Sequence, residues 1–175
     1  MPSPSSCSGR WCRMKRLFGG LGLLLALAVL FAGAGRMQKA PLQEGDWAFV
    51  RWVVDGDTVV LSDGTNVRYI GINTPEIRHG DKGVDQPYGR EATAFNRNLV
   101  HRKRVRLEFD AERTDRYGRL LAYLYLEDGT FVNRELICRG YARLMTIPPN
   151  VRHADELRRC QREAREGKRG LWGER

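Results

Sequence analysis

Cysteine is nearly absent from most of this chain. Beyond residue 35 only Cys138 and Cys160 occur, with no further ligands at metal-binding spacing, which excludes a four-ligand zinc site. The two stand as either a disulfide, which an oxidising compartment favours, or a pair of buried thiols. Internal repeats and low-complexity tracts are also absent, which excludes a repeat architecture. Acidic residues are missing from the first 35 positions, where Arg10, Arg13, Lys15 and Arg16 are the only charges. No cysteine follows the apolar run Leu17–Gly35, which argues against a bacterial lipid anchor.

That apolar run has the form of an export leader. A basic region ends at Arg16, about 20 mostly apolar residues follow, and Ala32-Gly33-Ala34 matches a small-x-small cleavage site. The run is also long enough to remain as an uncleaved membrane anchor through residues 17–35. In both readings the flanking positive charge places the rest of the chain outside the cytoplasm, secreted, periplasmic or anchored. Met14 offers an alternative start.

The 175 residues suit one domain plus a short extra segment. Lysine and arginine number 30 against 21 acids; without the leader, 26 cations face 21 anions, a moderately basic body. That balance favours a polyanionic partner: nucleic acid, acidic polysaccharide or an anionic membrane.

Residues 36–46 read as a polar linker, and residues 47–173 as the folded domain. WAFVRWVV, DTVVLS and VRYIGI, joined at Asp55-Gly56 and Asp63-Gly64, spell an antiparallel meander. Residues 77–90 form a long loop. The periodicity predicts a helix over Glu91–Val100 with Ala92, Phe95 and Leu99 inward, then a strand with Val105, Leu107 and Phe109 inward. RLLAYLYLE is a further strand, with a short pairing after Asp128-Gly129. A helix capped by Asn133 runs through Cys138 and stops at Gly140, and a last one covers His153–Glu166 with Leu157, Cys160 and Ala164 on one face. The class is α+β, mainly β. About five strands and three helices in the order β-β-β-α-β-β-α-α fit a closed OB-type barrel.

Three short clusters carry chemistry. In Asp55–Thr58, Asp57 opens a strand whose hairpin partner ends at Asn73-Thr74-Pro75-Glu76. Pairing places Asp57 opposite the region of residues 70–73, so its carboxylate, the Asn73 amide oxygen and the Thr74 carbonyl make an oxygen-rich half-cage for a hard cation. Pro75 ends the ladder and supplies no N–H. Glu76, just past the strand, is placed to act as general base or to hold a water. Arg68, and Arg119 from RTDRYGR, supply guanidiniums to fork onto a phosphate where negative charge grows. Taken singly, each motif also reads as an ordinary turn or solvated face; their ordered conjunction carries the argument.

The pieces VVDGDTVVL, VRYIGINTPE, KGVDQPYGREATAF, RTDRYGRLLAYLY, FVNRELICRGYA and GLW together resemble the staphylococcal-nuclease (thermonuclease) family over nearly all of residues 47–172. The resemblance implies a five-stranded OB barrel with three helices, and Ca²⁺-dependent hydrolysis of DNA and RNA. It implies that Arg68, Glu76 and Arg119 are catalytic, that Asp57, Asn73 and the Thr74 carbonyl are metal ligands, and that Arg116 and Tyr117 touch substrate. No protein partner is implied, and a monomer is expected. Two departures stand out. Asn73 replaces the family's usual aspartate, which predicts weaker Ca²⁺ binding, with Asp55 placed to offset part of the loss. The segment RLMTIPPN puts Thr146 and Pro148 where tyrosines stack on bases, which predicts weaker nucleotide binding. The alternative function is a noncatalytic OB module that binds nucleic acid or another polyanion at the envelope.

Overall fold

The computed structural model describes residues 40–77 and 85–173. The expected leader, the start of the linker and residues 78–84 of the long loop lie outside the described residues. Among the described residues no helix is long and apolar enough to cross a membrane. Contacts divide the chain after Pro41, and the fold below is that of Leu42–Arg175.

Among the described residues seven strands form: β1 (Trp47–Val53), β2 (Thr58–Leu61), β3 (Asn66–Tyr69), β4 (Gly71–Asn73), β5 (Arg104–Glu108), β6 (Leu120–Tyr125) and β7 (Arg143–Met145). Among the described residues three helices accompany them, α1 (Gly89–Val100), α2 (Val132–Cys138) and α3 (Ala154–Glu166), and a 3₁₀ turn, Gly170–Trp172, follows. Five strands close a barrel in the order β1-β2-β3-β6-β5. All its pairings are antiparallel except β3 with β6, which run parallel. This is the five-stranded OB-type barrel with three helices that the sequence predicts.

Period-two alternation builds the barrel. On β5, Val105 and Leu107 point in and Phe109 follows just beyond its end, all buried as expected. The expected third strand, however, is two. Gly71 has φ +81°, a left-handed conformation, and a Cβ there would lie 2.6 Å from Leu157 Cδ1. Only glycine allows this turn and this approach of α3. β3 therefore stays in the barrel, while β4 swings out to pair with β7, a strand the alternation did not reveal.

Two further expectations are corrected. The buried face of α1 is Gly89, Ala92, Thr93, Asn96 and Val100. Phe95 and Leu99 sit at its edge, where Phe95 stacks on Tyr141 with ring centroids 4.2 Å apart. Asn133 does not cap α2; Phe131 holds that position. Fully buried, Asn133 accepts the Leu124 N–H at 3.0 Å and donates to the Ile70 carbonyl at 2.9 Å. Its amide satisfies backbone groups left open where β3 breaks, since buried N–H and C=O groups need partners.

α3 buries Leu157, Cys160 and Ala164. Gln161 accepts the Leu144 N–H at 2.8 Å and ties α3 to β7. Cys138, at the end of α2, and Cys160, on α3, are joined by a disulfide with Cα atoms 4.6 Å apart.

Candidate active site

The chain entering β2 brings Asp57 beneath the end of β4. The Asp57 carbonyl accepts the Tyr69 N–H at 2.9 Å, so Asp57 faces the end of β3, one step short of the expected residues 70–73. Its side chain nonetheless reaches Thr74. Asp57 Oδ2 accepts from the Thr74 N–H at 2.7 Å and from its hydroxyl at 3.0 Å. Gly56 makes this possible: a Cβ at that position would fall 2.6 Å from the Thr74 hydroxyl oxygen.

Arg68 answers from β3. Its Nη1 lies 3.0 Å from Asp57 Oδ2 and donates to the Tyr69 carbonyl at 3.2 Å. Its Nη2 donates to Asn73 Oδ1 at 2.9 Å. One guanidinium thus gathers the carboxylate of Asp57 and the amide oxygen of Asn73, and all four residues Asp57, Arg68, Asn73 and Thr74 converge. The cluster is nearly dry; Asp57 is 4% exposed and Arg68 8%. Burial pushes the Asp57 carboxyl up to about 6, with Asp55 adding to the rise, while Arg68 and the Thr74 hydrogen bonds pull it down. Burial wins, so one guanidinium does not fully compensate this anion.

Glu76 follows two residues after Thr74. Its carboxylate is exposed, while its backbone is clamped: its N–H donates to Gln86 Oε1 at 3.1 Å and its carbonyl accepts the Gln86 N–H at 2.9 Å. Gln86 belongs to the loop segment that leads into α1.

Arg119 comes from the turn before β6. Asp115 organises that turn, taking the Tyr117 and Arg119 N–H groups on Oδ1 at 2.9 and 3.0 Å and Arg119 Nε on Oδ2 at 2.7 Å. Burial opposes the charge on Asp115, but these donors outweigh it and hold the carboxyl below its ordinary range. Arg119 and Arg68 line the same cleft, of about 540 Å³. Tyr117 and Arg116 share it; Arg116 lies over the Tyr117 ring at 4.8 Å and donates to its hydroxyl at 2.7 Å. The opposite wall carries Met145 and Ile147. These two, and not Thr146 and Pro148, line the cleft, because alternation along β7 turns Met145 outward and the next outward residue is Ile147. The Thr146 hydroxyl is instead buried without a partner among the described residues.

Three supports escaped the sequence reading. Asp115 lies in RTDRYGR, a motif that taken singly reads as an ordinary turn. Asn150, buried, exchanges two 2.8 Å hydrogen bonds with the backbone of Glu112 and so fixes one cleft wall to the other. Asn96 accepts the Tyr69 hydroxyl at 3.0 Å and donates to the Asp55 carbonyl at 3.0 Å, holding the DGDT turn against α1. A polar residue on the inner face of an amphipathic helix was the available signal for Asn96.

As a donor set, Asp57, Asn73 and Thr74 are all oxygen, the chemistry of a hard cation. Among the described residues the one group of three His, Cys, Asp or Glu side chains with converging ligand atoms is Cys138, Cys160 and Glu163, and its sulfurs are in the disulfide.

Residues 66–174 match the family described as staphylococcal nuclease homologue. The chain is 37% identical to the thermonuclease of Staphylococcus intermedius over 169 residues, 91% of this chain and 99% of the relative. It is 33% identical to the thermonuclease of Staphylococcus hyicus over 170 residues, with the same coverage. Endonuclease YncB of Bacillus subtilis (strain 168) is 40% identical over 124 residues, 68% of this chain and 58% of the relative. With the barrel, the order of its motifs and these likenesses together, the chain belongs to the staphylococcal nuclease family.

Proposed function

We propose that the protein is an exported, divalent-cation-dependent nuclease that hydrolyses phosphodiester bonds of DNA or RNA. The observation that carries this is the shared cleft of Arg68 and Arg119, in which Arg68 also holds the oxygens of Asp57 and Asn73. Nuclease-named relatives of nearly equal length support the same reading.

Each residue has a physical role. Arg119, aimed by Asp115, and Arg68, aimed by Asp57 and Asn73, fork onto phosphate oxygens, where developing negative charge is stabilised most in a water-poor site. Glu76, exposed two residues after Thr74, takes the proton of the attacking water or holds that water in line. Tyr117 and Arg116 line the approach for the nucleotide. Asp57, Asn73 and the Thr74 carbonyl would hold a Ca²⁺ ion, and the under-compensated charge of Asp57 suits one. When bound, such an ion supplies positive charge to a phosphate oxygen and acidifies a bound water. Asn73 gives this set one charge fewer than an aspartate, so weak affinity is expected.

The second reading, a noncatalytic polyanion-binding module, draws on Asn73 and on the aliphatic Met145 and Ile147. Retention of Arg68, Glu76 and Arg119 weighs against it. Incubating plasmid and single-stranded DNA with the protein in Ca²⁺, in Mg²⁺ and in EGTA separates the two. Cation-dependent cleavage, abolished in Glu76→Gln, supports the nuclease; intact substrate under every condition from folded protein supports the binding module. Export rests on residues 1–35, and the mass of the mature N-terminus distinguishes cleavage from anchoring through residues 17–35.

A further inference from the structure

Three aromatic rings stand exposed on one strand far from the cleft. Trp47, Phe49 and Trp52 of β1 are 42%, 41% and 55% exposed. Alternation alone would turn Trp52 to the interior, but the register of β1 against β2 slips between Val50 and Trp52. That irregularity inserts Arg51 and keeps all three rings, with Arg51, on the outer face. In the closed barrel, β1 neighbours β2 and β5, whereas Arg68 and Arg119 belong to β3 and the entry to β6 on the other side.

Cations lie against the rings, and Arg104 is also paired with Glu127 at 3.8 Å. The Arg97 guanidinium lies 5.5 Å from the Trp52 ring centre and that of Arg104 lies 5.5 Å from Trp47. His101 meets Trp52 edge-on at 6.1 Å. Phe49, Arg51, Trp52, His101 and Arg102 line an open groove of about 550 Å³ without an acid among them. Arg102 holds a left-handed φ of 57°, and its N–H is fixed on the Val50 carbonyl at 3.0 Å. A non-glycine residue in that conformation is costly, and the turn keeps a cation at the groove.

We propose that this outer face of β1 is a second binding surface for single-stranded nucleic acid, a non-cleaving track separate from the cleft. Flat rings interleaved with guanidiniums suit stacked bases and the phosphates between them, and the binding needs no particular sequence. The charge of the groove complements a polyanion. An anionic bilayer fits less well, because Arg51 sits between Phe49 and Trp52 and insertion of the rings would drag its charge into hydrocarbon. The inference extends the nucleic-acid reading above but can stand or fall without it.

The test is fluorescence anisotropy of a fluorescein-labelled 20-nucleotide oligothymidylate with the full chain in EDTA, where cleavage is suppressed. The double variant Trp47→Ala/Trp52→Ala raises Kd about tenfold or more, and Trp52→Phe stays close to native. With cation restored, the double variant loses rate on long strands but not on a dinucleotide diester. Native affinity in the double variant overturns the inference. So does loss of binding to vesicles containing phosphatidylglycerol with oligonucleotide affinity unchanged, which would make the face a membrane contact. If native protein cleaves nothing yet the double variant still loses the oligonucleotide, the nuclease reading fails and the track stands.

Discussion

Arg68 Nη1 lies 3.0 Å from Asp57 Oδ2, and neither side chain is more than a tenth exposed. The same guanidinium holds Asn73, so three of the residues read from sequence as catalytic or metal-binding form one hydrogen-bonded unit. Removing Arg68 strands a buried carboxylate. Arg68→Ala is expected to cost about 3–5 kcal/mol in urea denaturation at neutral pH. Arg68→Lys recovers only part of this, because an ammonium cannot fork onto Asp57 and Asn73 together. An Arg68→Ala loss under 1 kcal/mol would show that the pair is not structural.

The acidity of Asp57 predicts a pH dependence. Burial raises its carboxyl from 3.8 unfolded to about 6 folded, so the folded state holds the proton more tightly. The contribution of this group to stability is therefore fully present below about pH 4 and is lost as pH rises through 6. In urea denaturation of the cation-free protein, stability from this group should fall as pH rises from 4 to 7, and Asp57→Asn, which does not titrate, should remove that slope while leaving Arg68 without its anion. Protons compete with a bound cation at the same oxygen. Calorimetry should show Ca²⁺ affinity falling about tenfold per unit below pH 6 and levelling off above it. A flat profile between pH 5 and 7 would remove Asp57 from the ligand set.

Asn73→Asp restores a charge beside the guanidinium and the expected cation. Ca²⁺ affinity in calorimetry should rise at least roughly tenfold, since charge count sets calcium affinity. An unchanged Kd would show that position 73 is not a ligand.

The cleft wall at Met145 and Ile147 is aliphatic. Replacing Met145 with tyrosine gives the cleft a stacking surface opposite Tyr117. The dissociation constant of a nucleoside 3′,5′-bisphosphate should fall by about 5- to 150-fold, the range of one stacked base. Thr146→Tyr, off the cleft wall, should not produce this gain; equal gains at the two positions would reject the assignment of the wall.

The barrel was legible because its signals are local. Asp-Gly turns mark the hairpins, and the alternation of Val105, Leu107 and Phe109 sets the inner face. What escaped depended on distant neighbours. Nothing near Gly71 announces that Leu157 will approach it from α3 and split the strand, and the three residues of β7 are too few to show a period. Asn133 carried a genuine helix-start signal, but tertiary demand for a buried amide at Leu124 and Ile70 overrode it. At the site, the convergence of Asp57, Arg68, Asn73 and Thr74 followed from hairpin pairing. The role of Asp115 in aiming Arg119 did not, because an Asp-Arg pair in a turn looks alike whether or not it faces a cleft. That Met145 and Ile147, rather than Thr146 and Pro148, line the cleft escaped for a related reason: only the pairing of β7 with β4 fixes which side chains turn that way.

The most direct test is the rate of Arg119→Ala on single-stranded DNA at saturating cation. Arg119 is one-third exposed, and after its replacement Asp115 keeps its two backbone N–H donors, so the melting temperature should move little. kcat should fall by at least about a hundredfold, the range for loss of a donor to developing charge, while KM changes little. Native kcat in a folded Arg119→Ala protein would contradict the account.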